Sequence, residues 1–270
     1  MFHLLKIEWL KVKNYRTFWI LLLLIVISIP ALNYMIFDLT DNSFGKGGKQ
    51  VQRMLLGRPF SFPLVWQTTS WLSSLALFIP SLLIITLTTN EFTYKTHRQN
   101  IINGLSRFEF ISVKMVEVLL LAALSTALVF GSAIWIGHVA ADPNETVKQF
   151  ENIKQLGYFF VEAVAYIMFS FLLSVLIKRA GLVMGLFFLY SMIAEQLVVG
   201  MLRIWGHDAG RFFPLETSDR LILNPFSRLL STPEAIKEWE SQLGLSLFIA
   251  IAYIAVYVFI CIWYFRKKDL

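Results

Sequence analysis

Six long apolar stretches constrain the fold of this chain more than any other feature of its sequence. Each reaches the roughly 20 residues that a helix needs to cross about 30 Å of hydrocarbon. They cover residues 18–37, 64–89, 115–139, 158–177, 182–201 and 243–265. Only 16% of the residues are charged, so the chain has no segment from which a separate water-soluble domain could form. We therefore predict an all-α, polytopic membrane protein with a single domain, residues 1–270.

Three of the segments outside these spans have patterns of their own. In residues 1–17, apolar side chains recur at helical spacing between basic ones, which predicts a helix on the membrane surface. The alternative is a basic flank that only fixes topology. Residues 202–242 combine prolines with apolar side chains, which predicts short interfacial helices, one of them capped by Thr232 and running through Trp239. Residues 90–114 form the third segment, between the second and third spans.

The distribution of basic residues predicts the orientation. Six crossings place both termini on one side of the membrane. Thirteen of the 24 Lys and Arg residues lie in the four segments on that side, 1–17, 90–114, 178–181 and 266–270, although these are much shorter in total than the segments on the other side. Because basic residues concentrate in cytoplasmic segments, we expect both termini in the cytoplasm.

Several functions find no support in the sequence. The net charge of +6 comes from residues beside the spans rather than from a separate basic face, so we do not expect nucleic acid as a partner. The single cysteine, Cys261, has no partner for a disulfide, and the four histidines are scattered along the chain. No sequence motif of a hydrolase or metalloprotease is present. We therefore predict that the chain is not an enzyme and that it binds no metal.

The segment 90–114 is the most informative polar part of the sequence. Its residues up to Ile102 can continue the second span as a helix, and Asn103-Gly104 is typical of a helix end. Ser106 and Glu109 have the spacing of a capping box that begins the next helix. A compact, basic, well-capped helix beneath the membrane is suited to binding a soluble partner. The alternative is a basic loop that only sets topology, and these residues alone leave both interpretations open.

The order of residues in this segment resembles a known family. Glu91, Thr96, Arg98, Ser106-Arg107 and Lys114 follow the order found in the permeases of type-2 ABC exporters, which have six spans and cytoplasmic termini. The tail at residues 265–270 and the turn at residues 178–181 are also similar to that family. Gly104 stands where many members have a proline, which leaves the geometry of the turn open.

The resemblance implies both partners and functional residues. The chain would form a translocation pathway with a second copy or a homologous permease, in a bacterial cytoplasmic (inner) membrane. Two separate ABC ATPase subunits would bind ATP and Mg, so no cofactor is expected in this chain. The residues that would couple the chain to the ATPases are Glu91, Thr96, His97, Arg98, Gln99, Asn100, Gly104, Ser106 and Arg107. Two other interpretations are a membrane scaffold that moves no cargo and an intramembrane enzyme using glutamates or His138.

Charged residues inside spans are costly and suggest function. Glu162 and Glu195 lie at about the same depth on either side of the turn at residues 178–181, so they are candidates for facing carboxylates that bind a cation or share a proton. The alternative is that each reaches the outer interface, with Arg203 as a possible partner. Glu117 is expected to reach interfacial water or Lys114.

Overall fold

The structure, a computed structural model, describes residues 2–42, 58–96, 99, 106–141, 149–226 and 233–267, and its regular elements there are all helical. A 3-10 turn (Leu75–Leu77) joins the helix that ends at Ser74 to the one that begins at Phe78, and a π-helical segment (Leu189–Ala194) joins the helix that ends at Phe188 to the one that begins at Glu195. The helices are α1 (Phe2–Val12), α2 (Arg16–Asn42), α3 (Val65–Ser74), α4 (Phe78–Thr93), α5 (Arg107–Val139), α6 (Lys154–Ile177), α7 (Ala180–Phe188), α8 (Glu195–Ile204), α9 (Glu216–Asp219) and α10 (Pro233–Lys267).

Six of these helical segments are long and apolar enough to cross a membrane, which confirms the predicted number of spans. They are Arg16–Thr40, Val65–Thr93, Glu109–Val139, Lys154–Ile177, Ala180–Ile204 and Ile236–Lys267. Apart from Leu64, the spans include all of the predicted stretches, and each span extends beyond its stretch at one or both ends, because polar residues at a span's end continue the helix. We refer to them as the first to sixth spans.

The second and fourth spans form the centre of the bundle. In their most apolar windows 67% of the residues are buried inside the protein, against 17% in the first and sixth spans. The fourth span packs against the second, third and sixth spans. The first and sixth spans, at the periphery of the bundle, expose many large apolar side chains, as a surface in contact with lipid requires.

From the sequence, Pro80 is expected to kink the second span, and the structure has a helical irregularity just before this residue. Pro80 has no N–H to donate to the carbonyl of Ala76, and its ring crowds that carbonyl. The chain passes through the 3-10 turn Leu75–Leu77 just before the proline. The hydroxyl of Ser81 donates to the carbonyl oxygen of Leu77 over 2.9 Å, next to the carbonyl that Pro80 leaves without its usual donor.

Two predicted helix boundaries differ from the structure. The second span ends at Thr93 instead of continuing to Ile102, because Lys95 adopts a left-handed conformation with φ of 55°. The chain is helical again at Thr96 and Gln99. The short helix predicted to run through Trp239 is the first part of α10, and its predicted cap Thr232 lies outside the described residues. Asp208–Phe212 and α9 are short helices between the fifth and sixth spans, as predicted.

Candidate functional site

A cluster of five charged side chains lies at the end of the bundle that carries both termini. We call Glu8, Lys11, Glu91, Lys114 and Glu117 the charge cluster. The ammonium nitrogen of Lys114 lies 2.7 Å from Glu91 Oε1, 2.9 Å from Glu8 Oε2 and 3.1 Å from Glu117 Oε2. Lys11 pairs with Glu8 and lies 3.7 Å from Glu91 Oε1. The cluster therefore joins α1, the end of the second span and the start of the third.

Lys114 is the centre of this cluster. Its side chain is 1% exposed, and a buried ammonium is stable only when carboxylates surround it. Burial raises the pKa of Glu8, but the positive charges of Lys114 and Lys11 outweigh that effect and lower the pKa from 4.5 to about 2. Glu8 is therefore ionised at neutral pH and holds α1 against the third span.

Aromatic side chains join other helix ends at the same end of the bundle. We call Phe92, Phe110, Tyr264 and Phe265 the aromatic cluster. The ring of Phe265 lies 6.0 Å from that of Phe92 and 5.5 Å from that of Phe110, measured between centroids. Lys178, in the turn between the fourth and fifth spans, lies 5.0 Å from the centroid of Phe92 and 5.4 Å from that of Tyr264. These are cation–π distances, so the turn is attached to the second and sixth spans.

The structure confirms the capping box that begins the third span. Ser106 Oγ accepts a hydrogen bond from the backbone N–H of Glu109 over 3.2 Å. The carboxylate of Glu109 accepts one from the N–H of Ser106 over 2.8 Å. Both interactions lie at the exposed surface. The segment 94–106 therefore follows a residue of the charge cluster, Glu91, and ends at a capped helix start.

The structure places only part of the predicted coupling residues. Glu91 is buried in the charge cluster, Thr96 Oγ1 lies 3.4 Å from the carbonyl oxygen of Glu91, and Gln99 is exposed. Outside the described residues lie His97, Arg98, Asn100, Gly104 and the side chain of Arg107.

Sequence reasoning missed several members of both clusters. It gave Lys114 as one of two alternatives for Glu117, the other being interfacial water, and the structure shows the contact with Lys114. It did not predict the contacts of Glu8 and Lys11 with residues far along the chain. The available signal was the acidic Glu8 within an otherwise basic segment. Phe92, Phe110 and Phe265 had no distinguishing signal, because an aromatic residue at the end of a span is common.

The predicted pair of glutamates belongs to a second cluster, at the other end of the bundle. Glu162 is 1% exposed and accepts a hydrogen bond from Ser74 over 3.0 Å. Glu195 is 2% exposed, and its Oε1 accepts from the backbone N–H groups of Leu215 and Glu216, each over 2.8 Å. The two carboxylates thus accept hydrogen bonds from different groups instead of sharing a donor.

Asp219 of α9 is close enough to Glu162 and Glu195 to interact electrostatically with each of them. Its Oδ1 accepts a hydrogen bond from the hydroxyl of Tyr166 over 2.8 Å. The pKa of Asp219 is raised from 3.8 to about 8. Burial is the main cause, the hydrogen bond from Tyr166 opposes it, and the charges of Glu216 and Glu195 add to the increase. Asp219 therefore carries its proton for most of the time at neutral pH.

The two remaining candidates from the sequence, Arg203 and His138, have contacts typical of a structural role. Arg203 lies 3.7 Å from Glu216 Oε1, so among the described contacts it faces Glu216. His138 is exposed, with its ring against Phe62 and its Nδ1 2.8 Å from the carbonyl oxygen of Ile134. Among the described residues there is no group of three or more His, Cys, Asp or Glu side chains that could hold a metal ion.

Comparison with known proteins assigns most of the chain to one family. Residues 60–270 match the profile of a family described as "Protein of unknown function (DUF2705)". This region contains the second to sixth spans, Glu91, Lys114 and all members of the aromatic cluster. No curated protein matches the chain.

Proposed function

We propose that this chain, which belongs to the DUF2705 family, is the membrane-spanning permease subunit of an ATP-driven exporter. It works as a dimer with a second copy or a homologous permease, in a bacterial cytoplasmic membrane with both termini inside. Two separate ABC ATPase subunits bind the segment 90–114 and hydrolyse ATP with Mg. The order of residues in that segment and the six-span architecture support this proposal.

The observation that carries the proposal is the position of Lys114 in the charge cluster. A protein that is driven from outside its own chain needs a rigid connection between the driver's docking surface and the spans that must move. Lys114 binds Glu91 at one end of the docking segment and Glu8 on α1, with distances of 2.7 and 2.9 Å. Separating such buried partners leaves charges uncompensated, so the connected elements move together.

The aromatic cluster extends this connection. A displacement of the second span at Phe92 acts on Phe265 of the sixth span and on Lys178 between the fourth and fifth spans. The five spans from the second to the sixth thus have one mechanical junction at the end where the ATPase is proposed to bind. A loop that only set topology would need no such junction.

The test of the proposal begins with the neighbouring genes, one of which we expect to encode an ATPase with a phosphate loop. That ATPase is then used for reconstitution with this chain. Gln99→Trp places a bulky side chain on the exposed docking segment, and Ser241→Trp makes the same change at the opposite end of the molecule. We expect the ATPase to copurify with the wild type and with S241W, and its hydrolysis rate to rise in proteoliposomes that contain either. Q99W should lose both effects. Equal binding and stimulation by all three proteins would refute the docking proposal.

The same reconstitution separates an exporter from a scaffold. A scaffold binds the ATPase through the same segment but leaves its hydrolysis rate unchanged. A stimulation of hydrolysis that depends on an intact segment 90–114 supports the permease, because it shows that the chain responds to the ATPase cycle.

The orientation has an independent test. Cys261 is buried, so single cysteines introduced at exposed positions are the main reactive thiols. We expect Ser241→Cys to react with a membrane-impermeant maleimide in intact cells and Lys95→Cys to react only after the cells are opened. The reverse pattern would contradict cytoplasmic termini.

A further inference from the structure

Two adjacent cavities border α1 at the charge cluster. The larger has a volume of about 410 Å³ and the smaller about 180 Å³. Val12 of α1 and Leu87 of the second span belong to the walls of both, so the cavities lie side by side. The larger alone falls within the roughly 300–1,000 Å³ that is usual for ligand pockets.

The two cavities differ sharply in chemistry. The wall of the larger is almost entirely apolar, with Trp9, Phe18, Leu22, Leu120 and Leu124 among its residues. Trp9 is 52% exposed and Leu120 58% exposed, so this cavity opens toward the apolar surroundings of the bundle. The charged residues in its wall are Glu8 and Glu117.

The wall of the smaller cavity contains most of the polar and charged side chains, although it also has apolar surface. It contains Lys11, Asn90, Glu91, Thr96 and Lys114, together with the side chains of Tyr15 and Tyr94. All five members of the charge cluster therefore belong to the wall of one cavity or the other. A compartment bordered by polar and charged side chains thus adjoins one that is almost wholly apolar.

We propose that these cavities bind one phospholipid of the surrounding bilayer, phosphatidylethanolamine. An acyl chain fills the apolar cavity and enters from its open side. The headgroup lies in the smaller cavity, beside Lys11, Glu91 and Lys114. Fully ionised, the charge cluster has three carboxylates and two ammonium groups, so its net charge of −1 favours a headgroup that carries its own ammonium group over a purely anionic one. The lipid attaches α1 to the second and third spans whether or not the chain is an exporter.

The experiment uses the full chain in phosphatidylcholine nanodiscs that contain a phosphatidylethanolamine probe with a photoreactive diazirine near the end of one acyl chain. After illumination, the labelled residues are identified by mass spectrometry. We expect labelling concentrated at the walls of the larger cavity, in Trp9, Leu22 and Leu120–Leu124. Labelling spread evenly over the exposed apolar residues of all spans would show a non-specific lipid layer and would overturn the proposal.

A matched pair of variants tests the site directly. Leu120→Trp fills the apolar cavity, whereas Leu119→Trp adds the same ring to a neighbouring, 47% exposed position outside its wall. We expect L120W to reduce labelling at the cavity several-fold and L119W to leave it unchanged. Equal labelling in both variants would refute the site. Both positions are largely exposed, so neither substitution overpacks the interior, and gel filtration verifies the folded state.

Competition distinguishes the headgroups. Unlabelled phosphatidylethanolamine should displace the probe from the cavity more effectively than the same amount of phosphatidylglycerol. If phosphatidylglycerol competes as well or better, the role assigned to the charge cluster in recognising an ammonium headgroup is wrong.

Discussion

The ammonium nitrogen of Lys114 lies 2.7 Å from Glu91 Oε1, and this contact joins the start of the third span to the end of the second across the segment proposed to bind an ATPase. Lys114 is fully enclosed and has two further carboxylate partners.

Lys114→Met should be strongly destabilising. It leaves the carboxylates of Glu8, Glu91 and Glu117 without their central cation, and removing one partner of a buried ion pair costs about 3–5 kcal/mol. The measurement is thermal unfolding of the purified protein in detergent. Lys13→Met changes an exposed lysine and should have almost no effect. Equal unfolding temperatures for the two variants would contradict the role of Lys114.

Lys178→Asn should weaken the attachment of the turn between the fourth and fifth spans. Asparagine tolerates the left-handed conformation that Lys178 adopts, with φ of 62°, so the substitution removes the cation–π contacts without straining the backbone. Such contacts are worth about 0.5–2 kcal/mol. We expect a lower unfolding temperature for K178N than for Arg179→Asn, its exposed neighbour, and identical values would argue against the contact.

Ser106→Ala should loosen the first turn of α5. The change removes the acceptor for the N–H of Glu109, and loss of such a cap costs about 1 kcal/mol. Hydrogen exchange of the amides of residues 107–110 should accelerate. Ser106→Thr retains a capping hydroxyl and should exchange nearly as slowly as the wild type. An unchanged rate in S106A would show that the box does not stabilise the helix start.

The stability contributed by Glu8 should depend on pH in the acidic range. Its pKa in the folded protein, about 2, is below its ordinary value of 4.5, so its contribution is complete above pH 4.5 and is lost as pH falls toward 2. We expect α1 of the wild type to lose protection from hydrogen exchange below pH 4.5. In Glu8→Gln, that protection should already be low at neutral pH and should change less on acidification. The exposed Glu234→Gln serves as control.

The stability contributed by Asp219 should depend on pH in the opposite direction. Its pKa in the folded protein, about 8, is above its ordinary value of 3.8, so the folded state holds the proton more tightly. Its contribution to stability is complete below pH 3.8 and decreases up to pH 8, by at most about 1.4 kcal/mol per pH unit.

Asp219→Asn retains an oxygen that can accept the hydrogen bond from Tyr166 and removes the titration. Unfolding temperatures measured across pH 3.8 to 8 should therefore fall less steeply in D219N than in the wild type. Parallel curves for the two proteins would contradict the raised pKa.

Local patterns in the sequence predicted much of this fold. The number of spans follows from apolar length, the irregularity before Pro80 from the missing N–H of proline, and the start of α5 from the spacing of Ser106 and Glu109. The end of the second span was not predictable in this way, because a lysine in a left-handed conformation, Lys95, has no sequence signal comparable to glycine.

The composition and order of the chain by themselves determined an all-helical bundle of six apolar segments, because helices are the way a single open chain satisfies its backbone groups in hydrocarbon. Only the tertiary structure decided which charges meet. Glu8 and Lys114 are far apart in sequence, and Glu195 accepts hydrogen bonds from the backbone N–H groups of Leu215 and Glu216, about 20 residues away. Such pairings depend on the packing order and rotation of the helices, and the spacing of residues along one helix contains no information about either.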